Sequence, residues 1–271
     1  MIVCRHLSNL KSMPNVKITI ATPTIRLEGA RVLYSSLQKQ NMQDFEWLIS
    51  TPYEMLGVMS QAFPAATIYP DPPKRDYDIT NVYKAHNMLA RKAKGELVIA
   101  CVDYTELSSN ALEVLWKYYI QDNKSIYGLL GDFYSNYKTI FPDMSLNAEY
   151  QFTEFAFSNR CCHFGAAPHE IAPRKFDFAV ASAAKQAYYD VGGIDEAYDK
   201  YTGNAEKDFT ARLSKYGYKI MTCHEIIMKG YTAHGRLPEW KEDFWPLCCD
   251  KLTCDLAAVD NNTRLKLEYV K

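Results

Sequence analysis

No stretch of this 271-residue chain is apolar for long enough to cross a bilayer, which takes about 20 consecutive residues. Residues 1–15 carry Lys and Arg but no apolar core, so a secretory signal is not expected. Neither sign of charge dominates: 31 Lys and Arg stand against 32 Asp and Glu, a formal net charge of −1. That balance argues against a protein that grips nucleic acid through a basic stripe. Local pairs such as Lys74-Arg75 and Arg174-Lys175 are left to touch a charged acceptor. There is no internal repeat and no low-complexity tract, which excludes solenoids and linker-like chains. A spaced disulfide framework is also missing. Of the eight cysteines, Cys161-Cys162 and Cys248-Cys249 are adjacent pairs, so a reducing, cytoplasmic setting is expected. Cys161-Cys162-His163 with His169 has no common zinc spacing, and coincidence within a loop explains it better.

What is present suits an enzyme-sized α/β core: 48% of residues are apolar. Val16 to Ala21 reads as a strand broken by Thr22-Pro23-Thr24. A helix follows from Glu28 to about Gln38, then a strand over Asp44 to Ser50. Leu97 to Val102 is apolar without alternation, which suits a strand covered on both faces in a parallel sheet. Further expectations are a helix over 108–121, strands over 126–133 and 176–182, and helices over 185–191 and 205–216. Gly217 stops the last of these. A short strand over Ile226–Met228 and a loop carrying His234 come next. Between Tyr134 and Pro173 the pattern is aromatic and irregular, and we read it as an acceptor-side insertion. Trp240, Phe244, Trp245 and Leu247 look like a closing helix.

Two places carry chemistry. Asp103 ends a buried strand, where open α/β sheets bind ligands. A carboxylate there suits Mg²⁺ or Mn²⁺ neutralising a diphosphate; the plainer alternative is a cap for the helix near Ser108. Further on, Val191-Gly192-Gly193-Ile194-Asp195-Glu196 precedes a helix whose first turn holds Glu206 and Asp208. Carboxylates are favoured there by the helix dipole. The sharper reading makes Glu206 a general base facing a cleft.

These segments together resemble the family 2 glycosyltransferases, inverting enzymes of the GT-A fold, including those found in viral genomes. The match runs in order through 16–50, Ala85-His86-Asn87, 93–105, 191–218 and the surroundings of His234. The resemblance implies a single Rossmann-like domain with a mixed, mostly parallel sheet flanked by helices. Its expected organisation is an extension over 1–15, a GT-A domain over 16–237 (nucleotide-binding half 16–106, acceptor half 107–237), and a helical extension over 238–271. Counting back from Arg212-Leu213, the family's acidic pair falls on Ala205 and Glu206, so Glu206 is the implied catalytic base. Its Asp-x-Asp motif falls on Asp103-Tyr104-Thr105, implying a Mn²⁺ or Mg²⁺ ion on Asp103, Thr105 and His234, or Lys and Arg side chains carrying part of the phosphate charge instead.

Implied donor contacts are Thr22, Pro23, Thr24, Arg26, Ser50, Asp71, Lys84, Asn87, Asp103 and Arg236, with a UDP-sugar as the expected donor. Gly193 and Asp208 are the implied acceptor contacts. Ser50-Thr51 takes the place of the Asp that reads uracil in the family, so Asp71 or Asp76 is expected in its stead. The acceptor is a glycan, a protein side chain or a modified DNA base. Two rival readings stay open: a sugar nucleotidyltransferase, against which Thr22-Pro23-Thr24 is not a glycine-rich phosphate loop, and a nucleotide-sugar-binding module without catalysis.

Overall fold

A computed structural model describes residues 16–103, 105–130, 138–139, 151–156, 168–173, 176–200, 204–222 and 228–234. The first half alternates strands and helices: β1 (Ile18–Pro23), α1 (Leu27–Leu37), β2 (Phe45–Thr51), α2 (Leu56–Ala62), β3 (Thr67–Pro70), α3 (Val82–Lys92) and β4 (Leu97–Cys101). After it come β5 (Thr105–Leu107), α4 (Ala111–Gln121), β6 (Ser125–Leu130), β7 (Lys138–Thr139), β8 (Gln151–Ala156) and β9 (His169–Glu170). The remainder is β10 (Phe176–Ala184), α5 (Lys185–Asp190), a 3-10 turn (Glu196–Lys200), α6 (Ala205–Lys215), β11 (Lys219–Thr222) and β12 (Met228–His234).

Among the described residues the main sheet has eight strands in the order β3-β2-β1-β4-β10-β6-β11-β9. Strands β3, β2, β1 and β4 run parallel, and β10 is antiparallel to both β4 and β6. All five residues of β4 are buried, as its unbroken apolar run requires. Ile99 and Cys101 pack with α1 and α4 on one face, while Val98 and Ala100 pack with α3, α5 and α6 on the other. Each large side chain buried this way contributes about 1.5–3 kcal/mol. A second sheet, β5-β12-β8-β7, leaves the main one directly after Asp103.

The expected elements form, with instructive shifts. The helix expected from Ser108 starts at Ala111, because residues 108–110 make a turn closed by Ala111 N–H to Ser108 C=O at 3.0 Å. Gln40 caps this helix by accepting from the Leu112 N–H at 3.1 Å, so Asp103 is not its cap. The strand expected over 126–133 is Ser125–Leu130 as described. The segment read as irregular contains β7, β8 and β9. Their partners lie far along the chain, β8 on β12 and β9 on β11, so local pattern does not announce them. His234 ends a strand rather than sitting in a loop, since β12 pairs with both β5 and β8. The N-terminal extension, Tyr104, most of the aromatic segment, Cys161 to His163, Arg236 and the expected closing helix lie outside the described residues.

Candidate functional site

The parallel strands β1, β2 and β4 end at one edge of the sheet, and the expected donor residues collect there. Thr24 N–H donates to Ser50 C=O at 2.8 Å, tying the loop after β1 to the end of β2. The Ser50 hydroxyl donates to Asp71 at 2.5 Å. Asp71 is held above the usual carboxylate range, first by burial and then by the charges of Glu54 and Asp199, with the Ser50 bond opposing. Thr22 accepts from the Trp47 indole N–H at 3.0 Å and is fully buried, so its hydroxyl supports the strand pair rather than facing the crevice.

Asp103 is the most constrained group at this edge. Its Oδ2 accepts from the Thr24 hydroxyl at 2.6 Å and from Arg26 Nε at 2.8 Å. Its Oδ1 accepts from Arg26 Nη2 at 2.6 Å. The fork is the bidentate Arg–carboxylate arrangement that such pairs favour. The Asp103 side chain is 1% exposed and that of Arg26 is 39% exposed. Gly29 in the first turn of α1 makes room for the carboxylate: a Cβ there would stand 2.8 Å from Oδ2.

The metal expectation meets this arrangement badly. Both oxygens of Asp103 are already engaged by Arg26 and Thr24. Thr105 is buried in β5, opposite Gly230 of β12. His234 lies four residues further along β12, roughly 13 Å at about 3.3 Å per residue, and pairs with Gln151. Among the described residues no three His, Cys, Asp or Glu side chains are grouped to hold an ion. Asp103 and Thr105 therefore do not present the oxygen-rich cage that a hard divalent cation takes.

A second group forms around the Gly-Gly turn. Gly193 has φ +77°, and a Cβ on it would stand 2.7 Å from Asn87 Oδ1. Asn87 is fully buried and clamps the turn: it accepts from Ile194 N–H at 2.8 Å and donates to Ile194 C=O at 2.7 Å and to Glu196 at 3.1 Å. Arg212 closes the turn from α6. Its Nη1 donates to the carbonyls of Val191 and Gly193 at 2.6 and 2.8 Å, and its Nε to Asp208 at 2.8 Å. Three expected contacts are thus reassigned. The Asn87 amide is spent on the turn rather than a donor, Gly193 supplies turn geometry, and Asp208 is the buried i,i+4 partner of Arg212 rather than an acceptor contact.

Glu206 is placed differently. It is half-buried in the first turn of α6, with Oε1 accepting from the Asn204 N–H at 3.2 Å. Asn204, at φ +70°, is the positive-φ residue other than glycine among those described, and Asn is among the few side chains that tolerate this region. Tyr198, beneath, has its phenol pushed well up, by burial first and then by Asp208 and Asp195, with Glu206 adding to the same field.

Helix α3 and the loop before it join the two groups. Lys84, expected at the donor, is buried against Asp78 at 2.5 Å, which removes it from the crevice. Arg75 holds Asp78 with its guanidinium and reaches the Glu196 carbonyl at 2.6 Å. These bonds hold the Asp78 carboxyl below the usual range, Arg75 contributing most. Asp199 is fully buried and accepts from the N–H groups of Tyr83 and Lys84, both at 3.0 Å, and from the Thr80 hydroxyl at 2.9 Å. It caps α3 from 116 residues away. Sequence reasoning missed Asp78, Asp199 and the clamp made by Arg212. The acidic run Asp195-Glu196 up to Asp199 was the available signal. His86 is buried against Phe178 and its imidazole is pushed down to about 4 by burial, so it is a neutral core residue and not a phosphate contact.

No protein-family model matches the chain, and no curated protein matches it in sequence. Solved structures do match in shape. TarS 1-349 of S. aureus is 12% identical with a TM-score of 0.53, over 79% of this chain and 59% of that one; it has also been solved with UDP and with UDP-GlcNAc. The mannosyltransferase PcManGT of Pyrobaculum calidifontis, solved with GDP-Man and Mn²⁺, is 13% identical with a TM-score of 0.52, over 77% and 55%. GalNAc-T7, solved with UDP, GalNAc and Mn²⁺, is 10% identical with a TM-score of 0.52, over 79% and 43%. The chain spans about three fifths of TarS 1-349 and less of the other two. Its mixed α/β sheet flanked by helices is the GT-A fold of the glycosyltransferases.

Proposed function

We propose that this chain is a glycosyltransferase of the family 2 type, moving a sugar from a nucleoside diphosphate to an acceptor hydroxyl with inversion. The observation that carries the proposal is the setting of Glu206: a half-buried carboxylate on the first turn of α6, beside a Gly-Gly turn that Asn87 and Arg212 hold rigid. In the step proposed, Glu206 takes the acceptor hydroxyl proton as that oxygen bonds to the anomeric carbon. The bond from that carbon to the diphosphate breaks with its electron pair leaving on the phosphate oxygen. One carboxylate suffices because no covalent intermediate forms.

The edge formed by Thr24, Ser50, Asp71, Arg26 and Asp103 is the proposed donor site. Ser50 and Asp71 are joined there, which supports Asp71 as the group that reads the base. The UDP and UDP-GlcNAc bound by TarS support a UDP-sugar as donor. Mn²⁺ in two of the similar structures supports a divalent ion at this edge; the Arg26–Asp103 fork supports a guanidinium instead. The decisive measurement is transfer by Glu206→Gln. We expect kcat to fall by about 10²–10⁴-fold while the donor Kd stays within about threefold. Near-normal turnover would remove Glu206 from the role of base.

A second reading, binding without catalysis, is favoured by Ala205 in place of the family's first acid. Release of free nucleoside diphosphate from a panel of sugar nucleotides by the purified chain separates the two. Acceptor panels of glycan, protein and modified DNA then divide the acceptor classes.

A further inference from the structure

The acid at the end of β4 has been turned to another use. Asp103 gives both oxygens to Arg26 and Thr24, is closed off from solvent, and has Gly29 packed against its Oδ2. An ion reaching this carboxylate would have to displace a guanidinium already seated in a bidentate fork. It would also have to lie beside that displaced positive charge. Arg26, in contrast, follows the end of β1 and keeps 39% of its side chain exposed.

We infer that Arg26 is the cation facing the donor diphosphate, and that Asp103 is the positioning residue that aims it. The inference rests on the donor site proposed above. A guanidinium carries five N–H groups in a plane, so one edge can be held by a carboxylate while another meets phosphate oxygens. Its charge is fixed at any pH the fold survives, so it needs no ion to complete it. When the anomeric bond breaks, the electron pair gathers on the diphosphate oxygen, and Arg26 N–H groups donate to that charge as it develops. Thr24, through its bond to Asp103, keeps the carboxylate from rotating out of the fork.

The test uses the full chain with inorganic pyrophosphate and with UDP as probes, each titrated calorimetrically in EDTA and again in Mn²⁺. We expect both probes to bind in EDTA, with added Mn²⁺ changing Kd by less than about threefold. Arg26→Ala should weaken both by about tenfold or more. Because that variant leaves Asp103 buried without its partner, the double variant Arg26→Ala/Asp103→Asn is measured beside it. Once its melting curve shows a folded chain, it should bind as weakly as the single variant. Asp103→Asn alone should raise the donor KM with the acceptor KM unchanged, a split that general loss of structure would not produce. Binding that requires Mn²⁺ and survives both Arg26 variants would overturn the inference while leaving the donor site standing. Failure of the wild-type chain to bind either probe in either buffer would remove the donor site itself, and Arg26 with it.

Discussion

The proposed donor edge and the Gly-Gly turn are both built around charged residues, yet they are held in opposite ways. At the proposed donor edge, side chain meets side chain: Arg26 with Asp103 and Ser50 with Asp71. At the turn, side chains seize backbone: Asn87 takes both polar groups of Ile194, and Arg212 takes two carbonyls. Backbone-directed bonds fix where the chain runs, which suits a wall of a site. Bonds between side chains fix charge and the direction in which it faces. Glu206 lies on the turn's side of this contrast, its Oε1 accepting from the Asn204 N–H.

The contrast can be broken most severely at Arg212. Arg212→Ala leaves Asp208 buried without its partner and two carbonyls, of Val191 and Gly193, without their donor, at a cost of about 3–5 kcal/mol. At about 2–4 °C for each of these, melting should fall by about 6 °C or more in a calorimetric scan. Arg26→Ala also leaves a buried carboxylate without its guanidinium, but should cost less in stability because the Thr24 hydroxyl still donates to Asp103; the reverse order would erase the distinction.

The helix shared by both regions gives the next effect. His86 is neutral in the fold, with its imidazole pushed down to about 4 from 6.5. Below pH 6.5 the unfolded chain takes up a proton that the folded chain refuses, so stability is whole above that pH and declines towards pH 4. At about 1.4 kcal/mol per pH unit the decline amounts to on the order of 3 kcal/mol. Melting of His86→Leu followed over that range should show a flatter profile than wild type.

Gly193→Ala should cost about 1–3 kcal/mol, since φ +77° is unfavourable for alanine and the new methyl meets Asn87. Chemical denaturation reads this directly, and Gly57→Ala, where nothing lies within 4 Å, serves as the control. The smallest effect is at Asp78. Its carboxyl sits below the usual range, so its contribution is complete above about pH 4 and erodes only in stronger acid. Asp78→Asn should differ from wild type in slope only there.

The sequence displays what is local. The run Leu97–Cys101 has no polar residue to place on a solvent face, so its burial follows from composition. Ser50 and Asp71, each an expected donor contact, are joined by a hydrogen bond. The site's wiring is hidden because its partners are distant: Arg26 and Asp103 are 77 residues apart, and Asn87 and Ile194 are 107. No spacing rule links such positions, and an Arg on a loop after one strand looks the same whether it meets phosphate or carboxylate. The second sheet was missed for the same reason, since β5 and β7 are too short to show an alternation.

Asp199 has a consequence for how the chain reaches its native state. Helix α3 contains no capping side chain of its own, and its first N–H groups are satisfied by an aspartate 115 and 116 residues further along the chain. A nascent chain that has emerged only through β4 therefore owns the helix but not its lid. Its leading turn must fray until the segment bearing Asp199 is made and returns, and loop closure over such a span is slow. The junction of α3 with the turn at Glu196–Lys200 is consequently completed late, by one buried carboxylate.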